Sequence, residues 1–126
     1  MTRRLQALAA AAALLCAAAA SAKPQLQTYF QSTLTSTAYQ QKVFDKYAKA
    51  WKQPKETPAP GKKTVVRATI GRDGKLVSAL VSLASGSKAW DDAALSALKK
   101  AAPFDPLPAE VAYPSVEVDF HVSWVK

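Results

Sequence analysis

The chain has 126 residues, room for one small domain and not for two. Its 17 Lys and Arg against 9 Asp and Glu give a net charge of +8, and apolar residues make up 49% of the chain. That balance excludes wholesale disorder, repeat arrays and long coiled coils. One cysteine and one histidine exclude a disulfide scaffold and leave little material for a zinc site.

Residues 1–22 read as a secretory leader. Arg3 and Arg4 form a positive start, residues 5–15 are an Ala/Leu run broken only by Gln6, and small residues lead to an A-x-A exit at Ala20-Ser21-Ala22. The alternative is an uncleaved membrane anchor, since residues 5–22 sit at the short limit for spanning a bilayer. Alanine contributes little transfer energy to such a span, which favours cleavage. Cleavage discards Cys16 and leaves a cysteine-free product suited to an oxidising compartment. The expected location is the periplasm, or the periplasmic face of the inner membrane if residues 5–22 stay uncut.

Residues 23–37 are rich in Gln, Ser and Thr without clear periodicity and read as a tether, leaving residues 38–126 as the domain. A helix is expected from Thr37, where Thr37-x-x-Gln40 fits a capping box. Behind it Tyr39, Val43, Tyr47, Ala50 and Trp51 recur at helical spacing, and Pro54 stops the run. Residues 64–70 and 76–83 are β-branched runs flanking Gly71-Arg72-Asp73-Gly74-Lys75. The Asp-Gly pair predicts a hairpin with a type I′ turn. Ser87 is the expected N-cap of a second helix whose apolar face is Trp90, Ala94, Ala97, Leu98 and Ala101. Asp91 and Asp92 complement its dipole at one end, Lys99 and Lys100 at the other. Pro103, Pro106 and Pro108 force an extended crossing. Finally Val116, Val118, Phe120, Val122 and Trp124 alternate with Glu117, Asp119, His121 and Ser123, the pattern of a half-buried strand. The expected fold is α+β, in the order α-β-β-α-β, with a three-stranded antiparallel sheet packed against two helices.

This order, with the motifs Gly71-Arg72-Asp73-Gly74-Lys75-Leu76-Val77, Ser85-Gly86, Trp90-Asp91-Asp92-Ala93-Ala94-Leu95 and Pro103-Phe104-Asp105-Pro106-Leu107-Pro108, resembles the C-terminal domain of the TonB/TolA family of envelope energy transducers. The first helix, with Tyr39, Val43 and Trp51 before Pro54, is similar to the TolA branch. The resemblance implies a non-catalytic module that binds an outer-membrane or periplasmic protein, often by strand addition, in transport or envelope integrity. It favours the last strand as the open edge, so Val116, Glu117, Val118, Asp119, Phe120, His121 and Val122 are the expected partner-binding residues.

Other chemistry is thinly represented. Asp119, His121 and Ser123 share one strand face, but residues two apart project in parallel and do not converge as a triad requires. Adjacent Asp91 and Asp92 diverge on a helix and make a poor metal pair, so neither metal nor cofactor is expected. Lys42, Lys46, Lys49 and Lys52 form a basic stripe on the first helix, with Asp45 placed to pair with Lys49. The stripe offers an alternative role, charge-driven binding of cell wall or anionic lipid. An exported product rarely meets nucleic acid, so no nucleic-acid partner is expected. A small hydrolase or inhibitor acting through His121 is the remaining alternative.

Overall fold

The computed structural model describes residues 22–126. The leader read over residues 1–22 therefore lies, all but its last residue, outside the described residues. The elements follow as β1 (Lys23–Phe30), α1 (Thr37–Ala50), β2 (Lys63–Gly71), β3 (Leu76–Leu83), α2 (Lys88–Ala101) and β4 (Ser115–Val125). All strand pairs are antiparallel, in the order β1-β4-β2-β3. The sheet thus has four strands where the sequence predicted three. The segment read as a tether supplies the fourth.

Lys23–Phe30 forms a strand because Pro24, Leu26, Thr28 and Phe30 alternate with exposed Lys23, Gln25, Gln27 and Tyr29. Only two of the inward residues are strongly apolar, so the period of two is faint. Both helices lie on one face of the sheet, α2 over β2 and β3 and α1 beside it toward β1. The core they close contains Val66, Ala68 and Ile70 of β2 and Val116, Val118, Phe120 and Val122 of β4. Val43 and Tyr47 enter it from α1, and Trp90, Ala94, Ala97 and Leu98 from α2. The predicted apolar face of α2 is the set of residues that it buries.

Trp90 is fully buried and stands between Trp51 and Trp124, with ring centroids 5.0 and 5.5 Å away in edge-on packing. Its indole N–H donates to the Val122 carbonyl at 3.0 Å, which ties α2 to the centre of the sheet. Tyr47 donates to the Ala94 carbonyl at 2.9 Å and joins the two helices. Burial pushes its phenol well above the ordinary value of 10.0. Tyr39 donates to the Asp105 carbonyl at 2.8 Å. Burial, and then the charge of Asp105, raise its pKa to about 12.

Two local details differ from the sequence reading. The N-cap of α1 is Ser36, whose hydroxyl accepts from the Tyr39 N–H at 3.3 Å, and Thr37 is the first helical residue. Gln40 donates instead to the Leu34 carbonyl at 2.8 Å, fastening the entry loop. The hairpin turn is also not type I′, since that turn needs two residues at positive φ and only Gly74, at 88°, supplies one. Gly74 N–H donates to Gly71 C=O at 2.9 Å and Gly71 N–H to Lys75 C=O at 2.8 Å. Arg72, Asp73 and Gly74 therefore form a three-residue loop closed by a left-handed glycine.

That loop anchors the Pro-rich crossing. Phe104 N–H donates to the Gly74 carbonyl and Leu107 N–H to the Arg72 carbonyl, at 2.9 and 3.0 Å. The Arg72 guanidinium donates to the Val111 and Tyr113 carbonyls. The crossing in turn receives α1 through Tyr39, through Lys46, which donates to the Pro103 carbonyl at 2.6 Å, and through the Lys42–Asp105 pair at 3.5 Å. Hairpin, crossing and first helix are thus linked in series.

Candidate functional site

The strand predicted as the open edge is an interior strand. β4 pairs with β1 from Lys23↔Val125 to Phe30↔Val118 and with β2 from Lys63↔Ser123 to Gly71↔Ser115. Val116, Val118, Phe120 and Val122 point into the core, and Glu117, Asp119 and His121 lie on the face away from the helices. The backbone groups of β4 that the sequence reading offered to a partner are engaged by β1 and β2. The physical reason is the long-range pairing of Lys23–Phe30 with the far end of the chain.

Among the described residues, the edges without a neighbouring strand are β1 and β3. The register of β3 with β2 shifts twice, at Val65/Val66 and at Thr69/Ile70, leaving an unbroken run only from Ser78 to Val81. Bulges of this kind blunt an edge. The strand nonetheless exposes Val77, Leu80 and Leu83, at 68%, 50% and 48%, and no charge lies between Lys75 and Lys88. β1 keeps one register with β4 throughout its length. Its own edge is marked only by Lys23 and Pro24 at its start.

Of the three polar residues that share a face of β4, Asp119 and His121 are held by different neighbours. Both carboxylate oxygens of Asp119 accept from Arg67 of β2, at 3.0 and 3.3 Å. His121 packs its ring against Tyr29 of β1, centroids 4.5 Å apart. Burial, then the charge of Lys63, hold the imidazole below its ordinary 6.5, against a smaller opposing pull from Asp119. The folded chain therefore takes up this proton less readily than the unfolded chain. That stability is present above about pH 6.5 and is lost as pH falls through the lower folded value. Thermal melts between about pH 7 and pH 5 should show a steeper fall for the native chain than for His121→Gln.

Asp91 and Asp92 part company as expected of helix neighbours. One oxygen of Asp91 accepts from the Ser85 N–H at 2.9 Å, the Ser85 hydroxyl at 2.9 Å and the Thr64 hydroxyl at 2.5 Å. It knots the loop before α2 to the start of β2. Asp92 pairs with Lys88 at 2.7 Å on the surface. Asp91→Ala should cost about 2 kcal/mol in urea unfolding, since it strands buried hydroxyl and amide groups. Asp92→Ala should cost less than about 0.5 kcal/mol. Among the described residues no group of three or more His, Cys, Asp or Glu side chains is placed to hold a metal ion.

The basic stripe is divided by the fold. Lys42 and Lys46 fasten α1 to the crossing segment, and Lys52 lies beyond the helix end. The predicted Asp45–Lys49 pair is replaced by Gln41, which donates to Asp45 at 2.8 Å. Lys46 and Lys49 meet Lys100 across a shallow depression between the helices.

A four-stranded antiparallel sheet with both helices on one face defines a small α+β scaffold. A model of the TonB C-terminal family matches residues 36–121. The match covers more than half of the chain, and the chain belongs to this family. No curated protein and no solved structure matches it. Membership brings a TonB-like, envelope protein-binding role. No helix among the described residues is long and apolar enough to cross a membrane.

Proposed function

We propose that this protein is a non-catalytic, periplasmic binding module of the TolA-like branch, which captures an envelope protein by adding an extended segment of it to an open edge of the sheet, in transport or envelope integrity. The observation that carries the reading is the pair of edges, β1 and β3, that no described strand covers, in a chain whose family works through envelope proteins. Main-chain groups along such an edge supply affinity, and flanking side chains supply selectivity. The entry helix, with Tyr39, Val43 and Trp51 ahead of Pro54, supports the branch assignment.

The test is photo-crosslinking of the full chain in a Gram-negative host, with the reactive group placed at Gln27 on β1, at Ser82 on β3, or at Lys49 on α1. Strand addition predicts an adduct from one of the two strand positions that maps to a single contiguous segment of one envelope protein. Adducts formed only from Lys49 and lost at raised salt would contradict it, and would favour charge-driven attachment to the wall or to anionic lipid.

A further inference from the structure

We propose that the groove between β1 and α1 is the docking site, and that its occupant is an extended, uncharged segment of the partner which adds to the outer edge of β1. This rests on the strand-addition reading and names both the edge and the chemistry of the segment. β1 lies outside the family-matched residues 36–121, so the groove is built from an element that the match does not contain.

The phase of the ladder shows which groups are free. Gln31 N–H donates to the Glu117 carbonyl at 3.1 Å, continuing the β1–β4 register by one residue. In an antiparallel pair, residues alternate between those bonded to the neighbour and those facing away. Gln25, Gln27 and Tyr29 are in phase with Gln31 and bond inward to β4. Leu26, Thr28 and Phe30 turn their N–H and C=O groups outward, and Pro24, the residue in the same phase at the strand start, has no N–H to offer. The outward-facing backbone residues are also those whose side chains point to the helix side of the sheet.

Beside that edge lies a groove of about 570 Å³. Leu26 and Phe30 of β1 and Phe44 of α1 line it, with Thr37, Gln40 and Gln41 completing the helix wall. Among the described residues no charged side chain lines it, on a chain with a net charge of +8. A strand laid along β1 sends alternate side chains into this groove and the others toward the open face. A charged side chain sent inward would lose hydration with no partner to replace it, whereas an apolar one covers Phe44 and Phe30. The competing edge, β3, has a regular run broken by a bulge at each end and is a poorer template.

The experiment uses the 15N-labelled full chain and the blocked hexapeptide Thr-Val-Thr-Val-Thr-Val as probe. Binding should shift the amides of Leu26, Thr28, Phe30 and Phe44. Replacing the probe valines by lysine or by glutamate should weaken binding by about tenfold or more, as should N-methylation of the probe backbone. Thr28→Pro removes one outward N–H without removing a bond to β4 and should weaken binding by a similar factor, roughly tenfold. Shifts centred on Ala79 and Val81 would overturn the groove while leaving strand addition standing. No shift at either edge up to roughly 1 mM probe would overturn both. Shifts at the groove that grow with protein concentration in the absence of probe would overturn the proposal in favour of a second copy of the chain as occupant.

Discussion

Trp90→Ala is expected to cost about 3–5 kcal/mol. The side chain is fully buried, its two flanking tryptophans lose their edge-on partner, and the bond to the Val122 carbonyl disappears. The surrounding residues come from α1, α2 and β4, so no single element can shift to fill the space. A small domain holds about 5–15 kcal/mol in total, and this loss is a large share of it. Urea titration followed by near-ultraviolet dichroism measures the change. Trp90→Phe keeps an aromatic body but not the donor and should cost about 1–2 kcal/mol. A Trp90→Ala midpoint close to the native one would show that the three-tryptophan cluster does not hold the helices to the sheet.

Gly74→Ala should cost about 3 kcal/mol, through the backbone rather than the core. Gly74 has φ at 88°, where a side chain adds roughly 1–2 kcal/mol of strain. A Cβ there also runs into the Phe104 carbonyl oxygen; the Cβ position is fixed by its own backbone and the oxygen is main chain, so neither side has a flexible end to swing away. Overpacking of this kind adds about 1–3 kcal/mol. Gly86 is the internal control: its φ is 95°, but a Cβ there meets nothing within 4 Å. Gly86→Ala should therefore cost only the conformational share, about 1–2 kcal/mol. Equal losses at the two glycines would show that the hairpin does not press on the crossing. Because the crossing receives Tyr39, Lys42 and Lys46 of α1, loosening it at Gly74 also loosens one wall of the β1–α1 groove.

Elements with strong local patterns were legible in the sequence. Val116, Val118, Phe120 and Val122 alternate without interruption, and Trp90 to Ala101 repeats at helical spacing between a serine cap and a proline. The Asp73-Gly74 pair marked the hairpin but not its turn type, because Asp-Gly suits more than one loop and docking of Phe104 on Gly74 favours the longer one. β1 escaped because a strand at a sheet edge buries little. Thr28 and Pro24 serve at its inner positions beside Leu26 and Phe30, and glutamines fill half of the rest. Losing β1 misplaced the site, since strand order depends on which distant segments pair. Lys23 meets Val125 across nearly the whole chain, and no local period carries that information. The family resemblance, which begins at α1, likewise pointed to β4 as the edge. The added strand moves the open edge outward by one position and creates the groove beside α1.

A partner that joins the sheet as a strand leaves a signature in amide hydrogen exchange, measured on the chain alone and crosslinked to its envelope partner. Alone, Leu26, Thr28 and Phe30 should exchange fast while Gln25, Gln27 and Tyr29, bonded to β4, exchange slowly. In the complex, alternate amides along one open edge should slow together. Protection confined to the lysine-bearing surface of α1, with the outward amides of β1 and β3 still exchanging as in the free chain, would show that no strand is added.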